Sequence, residues 1–294
     1  MLLPSFRSLA APVLVVVAIA GCRRTKATAE LPPVEVLDRA LAPASLAAVL
    51  RKSGGGHYHA TALFRVEPAG KAAADDGAKP ASPAAITTTT DLWMDKLGNF
   101  RLSESNDQDG GREIVRVGGE VAVALRYGKM IRRPAQDAEN ARFLTEALGA
   151  PWAAWETVRR QVEAEQSDRA DYRLKLGGRL AELPAGFPPP EGLRKWRESV
   201  LVKALDGQTT LAGGGDSLPL AFTCKANFQG LRDGVAIAGE IAVVATLEDV
   251  GKVAAIAMPE ADTLHPRQRT VLEERALLGG LGASIAAPAK KTTP

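Results

Sequence analysis

The stretch that most constrains this chain is residues 57–66. Tyr58, Ala60, Ala62, Phe64 and Val66 put an apolar side chain at every second position, with His57, His59, Thr61 and Arg65 between them. A period of two sends alternate side chains to opposite faces of an extended backbone, so this stretch reads as a strand buried on one side. More strands follow at short intervals, separated by turn residues. Residues 86–94 are threonine-rich and end in Leu92-Trp93-Met94, and Asp95-Lys96-Leu97-Gly98 turns the chain. Phe100 and Leu102 then share a face opposite Arg101 and Ser103. After the turn 106–111, residues 112–117 and 120–127 flank Gly118-Gly119, and Val121, Val123, Leu125 and Tyr127 alternate in the second. Glycine pairs between alternating runs signal hairpins, so the series reads as an antiparallel meander.

Two stretches carry a helical period instead. Residues 34–52 repeat Val34, Leu37 and Leu41, then Leu46, Val49 and Leu50; Pro43 breaks or kinks this helix and Ser53-Gly54-Gly55-Gly56 ends it. Residues 137–165 place Phe143, Leu144, Ala147 and Leu148 on one face. Pro151 then opens a second helix at its first position, followed by Trp152, Trp155 and Val162. Strands return with Tyr172, Leu174 and Leu176. Residues 197–211 form a strand pair or one long strand, and Gly213-Gly214-Gly215 is a turn. Leu220, Phe222, Cys224, Ala226 and Phe228 share one face; Val235, Ile237, Ile241, Val243 and Leu247 share another. Residues 253–258 read as the last strand, 266–278 as a helix and 282–294 as a disordered tail. Residues 67–85 are Ala, Pro, Gly, Asp and Lys without a period, and read as a flexible insertion. Only 5% of residues are aromatic, so the core is expected to rest on small aliphatics. A formal net charge of +3 gives no argument for nucleic acid.

The start of the chain has a different logic. One positive charge, Arg7, precedes an apolar run over residues 9–20, and Ile19-Ala20-Gly21-Cys22 closes it. A charged start, a short apolar middle and small residues at the end describe a secretory signal peptide; the run is shorter than the ~20 apolar residues of a bilayer span. The alternative is an ordinary signal peptide with an incidental cysteine. Ile19-Ala20-Gly21-Cys22 resembles the lipobox of bacterial lipoproteins. That resemblance implies cleavage after Gly21 and a covalent acyl lipid such as palmitate on Cys22, which becomes the membrane anchor. Residues 1–21 are then the signal peptide and 22–33 a polar tether. Arg23 stands where the enterobacterial sorting pattern would place Asp for inner-membrane retention, so the resemblance implies the periplasmic face of the outer membrane. With Cys22 acylated, Cys224 has no partner for a disulfide.

The order of a helix, a strand, a meander, a helical insertion and a second meander behind a lipobox resembles the LolA/LolB and LppX group of periplasmic lipid and lipoprotein carriers. The resemblance covers residues 34–281 as one domain. It implies a mainly β fold with helices (α+β): a curved antiparallel sheet forming an unclosed β-barrel, with helices covering the concave face. It brings no catalytic residues.

The residues offer little other chemistry. His57 and His59 share a strand face and two imidazoles can ligate zinc, but a solvated face is the better reading. Asp107-Gln108-Asp109-Gly110 opens like a calcium loop and lacks the later acidic ligands, so it reads as a turn. Gly213-Gly214-Gly215 lacks the Lys-Ser or Lys-Thr of a phosphate loop. Cys224 reads as a small buried hydrophobe, and Arg132-Arg133 as a solvated edge. No catalytic residue, metal ligand or cofactor is therefore expected beyond the lipid on Cys22, and no enzymatic activity. The expected function is that of a monomeric membrane-anchored lipoprotein that binds or carries acyl chains or lipidated partners. Trp152 and Trp155, one helical turn apart, would border a ligand pocket lined by Phe100, Leu102, Val123 and Leu125. The competing expectations are that the tryptophans only fill a core, and that the protein is an interaction platform of the cell envelope with no lipid ligand.

Overall fold

Alternation along residues 57–66 is the seed of a sheet that spans almost the whole body. The computed structural model describes residues 31–69, 84–178, 180–181, 199–212, 218–232, 235–260 and 262–263. Cys22 with its expected lipid, most of the insertion expected at 67–85, the turn expected at Gly213-Gly214-Gly215, the helix expected at 266–278 and the expected tail lie outside the described residues.

Two helices, α1 (Pro33–Ala40) and α2 (Pro43–Lys52), lead into β1 (Gly56–Pro68), β2 (Ala84–Met94), β3 (Phe100–Asn106), β4 (Gly111–Val117), β5 (Glu120–Leu125) and β6 (Ile131–Pro134). Helices α3 (Asp137–Ala147) and α4 (Gly149–Val158) and a single 3-10 turn (Arg159–Gln161) follow. The chain then returns to β7 (Val162–Gln166), β8 (Asp171–Leu176), β9 (Leu201–Ala212), β10 (Leu218–Arg232), β11 (Val235–Glu248) and the two-residue β12 (Asp262–Thr263). The order across the sheet is β12-β6-β5-β4-β3-β2-β1-β11-β10-β9-β8-β7. β1 to β11 pair antiparallel; β12 lies parallel to β6. The sheet curves into a barrel that stays unclosed; among the described residues β7 and β12 are its two free edges, and four helices cover the concave face. The fold is mainly β with helices, as the sequence pattern implies.

One face of each strand is buried. On β1 these residues are Tyr58, Ala60, Ala62, Phe64 and Val66; opposite them on β11 lie Leu247, Ala245, Val243 and Ile241. Phe222, Cys224, Ala226 and Phe228 continue the face on β10. The small residues make room for the large ones. At Gly239, which pairs with Val66 and Phe228, a Cβ would stand 2.3 Å from the Phe228 ring. Gly55 has a different requirement: its φ is 86°, and a Cβ there would meet the Met94 carbonyl oxygen at 2.1 Å. That residue takes the chain from α2 into β1, a corner closed to residues with side chains.

Pro43 does more than kink the first helical stretch. It starts α2 as a separate helix, at a position whose missing N–H costs nothing. Pro151 lies in the first turn of α4 behind Gly149 and Ala150, so the second helix begins two residues earlier than the proline suggests. The helical period does not run to residue 165. It ends at Val158, because the Gln161 side chain donates to the Val200 carbonyl and accepts from the Val202 N–H, and the chain leaves that junction extended as β7. Residues 197–211 contribute one strand, β9. Residues 253–258 form no strand. They are held from the side, by the Ile256 N–H donating to Asp95 Oδ2 at 3.1 Å, and pair with no sheet edge.

Candidate functional site

The concave surface divides by what covers it. Under α4 lie β10, β11 and β1. α4 is apolar nearly all round, with Pro151, Trp152, Ala153, Ala154, Trp155 and Val158 buried, which suits a helix sunk into a core. Trp155 is fully buried. Its Nε1–H donates to Asp38 Oδ1 at 2.8 Å, and Asp38 accepts twice more from Arg159, Nε at 2.7 Å and Nη2 at 2.9 Å. The Arg159 guanidinium lies 5.8 Å from the Trp155 ring centroid. This cluster fastens α1 to α4.

The other part of the surface, on β2, β3 and β4, is partly polar. Thr88 and Thr90 on β2, Glu104 on β3 and Arg112 on β4 all point inward and are buried. Arg112 donates through Nε to Glu104 and through Nη2 to Glu146 of α3 at 3.0 Å; its guanidinium sits 5.7 Å from the Phe143 ring centroid. Burial raises the Glu104 carboxyl above the usual carboxylate range, against the pull of Arg112. The Tyr58 hydroxyl, buried close by on β1 and pushed up by burial, has no hydrogen-bond partner, and neither does the amide of Asn140 on α3.

The six residues expected around a ligand all belong to this core. Phe100, Leu102 and Val123 are fully buried or nearly so, Leu125 is half-buried at its margin, and Trp152 and Trp155 are buried on α4 itself. Phe100 and Leu102 lie on β3, the strand that carries Glu104, and Val123 and Leu125 on β5, on the far side of β4 from it, away from the strands that α4 covers. Trp152 and Trp155 share a helix; the other four share the meander.

The remaining candidates lie elsewhere. His57 and His59 face outward and both reach Asp91 Oδ1, at 3.3 Å and 2.9 Å; His57 also stacks on Trp93 with ring centroids 4.6 Å apart. Among the described residues no group of three or more His, Cys, Asp or Glu could hold a metal ion. Asp107 to Gly110 form a turn whose N–H groups are held by the Asn106 side chain, with Asp109 at a φ of 63°. Cys224 is buried, and its thiol is pushed up to about 12 by burial and then by Asp206. Arg132 and Arg133 pair with Glu120 and Glu139.

The polar strip and the Asp38 cluster were missed by sequence reasoning. A signal existed for the first: Glu104 falls in phase with Phe100 and Leu102, and Arg112 in phase with Ile114, so charged residues interrupt a buried face. Asp38 gives no such signal, since its partners are 117 and 121 positions away.

No protein-family model matches the chain, and no curated protein matches it. Among solved structures, the chain is similar to a porin-like protein from Bacteroides uniformis at 10% identity, over 64% of this chain and 96% of that one. The TM-score of 0.17 is too low for that likeness to bear on fold or function.

Proposed function

We propose that this chain is a lipoprotein anchored through Cys22 to the periplasmic face of the outer membrane, and that its open barrel binds acyl chains of lipids or lipidated proteins. The observation that carries the reading is the concave face: an apolar surface from Val162 on β7 to Val123 on β5, broken only by the buried strip of Thr88, Thr90, Glu104 and Arg112 and covered by short helices instead of a second sheet. Where such a cover lifts, an acyl chain replaces its apolar contacts in kind, and what remains to be lost are the side-chain bonds of Asp38 and Arg112. The full burial of Trp155 favours the second reading, a platform whose barrel is filled by its own side chains. Native mass spectrometry of the protein purified from a lipid-containing host separates the two. Copurified lipid, displaced by a fluorescent fatty acid, is the expected result. A lipid-free spectrum with no fatty-acid binding decides for the platform. The anchor has its own test: Cys22→Ser is expected to abolish fatty-acid labelling and to release the protein from membranes, and unchanged partitioning would remove it.

A further inference from the structure

Strand register sets an apolar row beside a polar one on the inward face of the first meander. Tyr58, Leu92, Leu102, Ile114 and Val123 are paired neighbours from β1 to β5, and all are buried. The adjoining row is Ala60, Thr90, Glu104, Arg112 and Leu125. In it the fully buried Arg112 side chain stands between two carboxylates, with Glu104 at its Nε and Glu146 of α3 at its Nη2. One cation thus holds two acidic side chains inside the barrel.

Tyr58 links the two rows. It belongs to the apolar one, but its buried hydroxyl has no hydrogen-bond partner and feels the charge of Glu104 in the polar one. A buried donor left unmatched is a standing cost that an acceptor on a ligand removes. The cover over this place also fits imperfectly. Both polar atoms of the Asn140 amide on α3 are buried without a partner, one turn before Phe143, whose ring lies against the Arg112 guanidinium.

We propose that the barrel takes a long-chain fatty acid head-in: its chain lies along Leu92, Leu102, Ile114 and Val123, and its carboxylate replaces Glu104 on Arg112 while accepting a hydrogen bond from the Tyr58 hydroxyl. The proposal rests on the acyl-binding reading and names the class of ligand. The exchange balances in charge. Glu104 takes a proton from solvent as it leaves Arg112, the incoming carboxylate restores the anion, and Arg112 keeps two anionic partners. The charged and titratable groups facing Glu104 are Tyr58 on β1, Arg112 on β4 and Glu146 on α3, while β2 brings the Thr90 hydroxyl. Burial holds the Tyr58 hydroxyl protonated and raises the Glu104 carboxyl, so the proton goes to Glu104. An uncharged head cannot replace an anion on Arg112 and gains nothing from the exchange.

Two ligands of equal chain length separate the head from the chain. Laurate and dodecanol are titrated by calorimetry into the full-length protein after copurified lipid has been stripped from it. Laurate is expected to bind about tenfold more tightly at neutral pH, the worth of a charge-assisted hydrogen bond. Between about pH 6 and pH 9 laurate itself stays ionised, and its affinity should fall as pH rises through the folded value of Glu104, because the exchange takes up a proton. The profile for dodecanol should be flat, and Glu104→Gln should flatten the one for laurate. Tyr58→Phe removes an oxygen that has no partner, so this variant should fold as the wild type does while its preference for laurate drops about threefold. It decides the matter even where Arg112→Gln, expected to abolish the preference, fails to fold. Equal binding of the two ligands, a preference untouched by Tyr58→Phe, or a flat wild-type profile for laurate overturns the carboxylate site and leaves the acyl-binding reading standing. Binding of neither ligand overturns both.

Discussion

The two parts of the concave surface solve one problem in opposite ways. Beneath α4 the sheet is dry: Phe222, Cys224, Ala226 and Phe228 on β10 meet Ile241, Val243 and Ala245 on β11, and a glycine at 239 accommodates the Phe228 ring. Beneath α3 the sheet places Thr88, Thr90, Glu104 and Arg112, and the helix is gripped through Arg112 and Glu146. Dispersion and burial hold the first helix against the sheet, its side-chain bond running to Asp38 of α1 instead, whereas a buried ion pair ties the second to the sheet at a desolvation cost that nearly cancels its attraction. The dry part therefore sets stability, and the polar part is where the cover yields first.

The largest effect is expected from Trp155→Ala. It removes a fully buried aromatic ring and the donor to Asp38, and should cost about 3–5 kcal/mol in denaturant unfolding. A loss below about 1 kcal/mol would mean that α4 is only loosely seated. Next, Arg112→Ala leaves Glu104 and Glu146 without their cation. About 3 kcal/mol is expected, at the low end for a broken buried pair because Glu104 takes up a proton readily. Hydrogen exchange sharpens the contrast: the amides of α3 should exchange faster in this variant while those of α4 keep their protection. Equal loosening of both helices would erase the distinction drawn here. Gly239→Ala should cost about 1–3 kcal/mol, since the new methyl group displaces the Phe228 ring.

The smallest effects are in pH dependence, and the two buried carboxyls carry opposite signs. With its carboxyl raised by burial, folded Glu104 holds a proton over a range where the unfolded chain has released it. Its contribution is full below the ordinary carboxylate range and is lost as pH rises through the folded value. For Asp95 burial also raises, but the Asn99 side chain and the N–H groups of Ile256, Leu97 and Asn99 outweigh it and hold the carboxyl low. Its contribution is present above the unfolded value and is lost as pH falls through the folded one. Urea midpoints measured from acid to neutral pH should therefore lose their alkaline decline in Glu104→Gln and part of their acid decline in Asp95→Asn. Swapped behaviour would show that the assignments are reversed.

Much of the frame was legible in the sequence because alternation is a local signal. The buried face of β1 is spelled out from Tyr58 to Val66, and those of β10 and β11 are as plain from Phe222 to Phe228 and from Ile237 to Leu247, whereas Val235, expected on the same face, is exposed and Leu220, beside a register shift, is half-buried. What failed depended on partners distant in sequence. The stop after Val158 is set by Gln161 bridging to Val200 and Val202, and residues 253–258 are placed by Asp95, 161 positions before the amide it holds. The six ligand residues were expected to line a pocket; the structure places them in the core or at its margin, and only the contacts of α4 show that the tryptophans lie over β10, β11 and β1 while the other four lie on β3 and β5.

The pairing of β1 with β11 also governs how the chain reaches its fold. β1 meets β2 through residues such as His57 and Asp91, 34 positions apart, but meets β11 through residues such as Arg65 and Glu240, 175 positions apart. Closing the longer loop costs about 1.5 kcal/mol more in chain entropy, a modest sum. The kinetic consequence is larger, because one edge of β1 stays unsatisfied until nearly the whole chain has been made. Throughout that interval the Tyr58-to-Val66 face is a sticky template in search of a strand, and the first meander must wait for the second or be shielded from its neighbours.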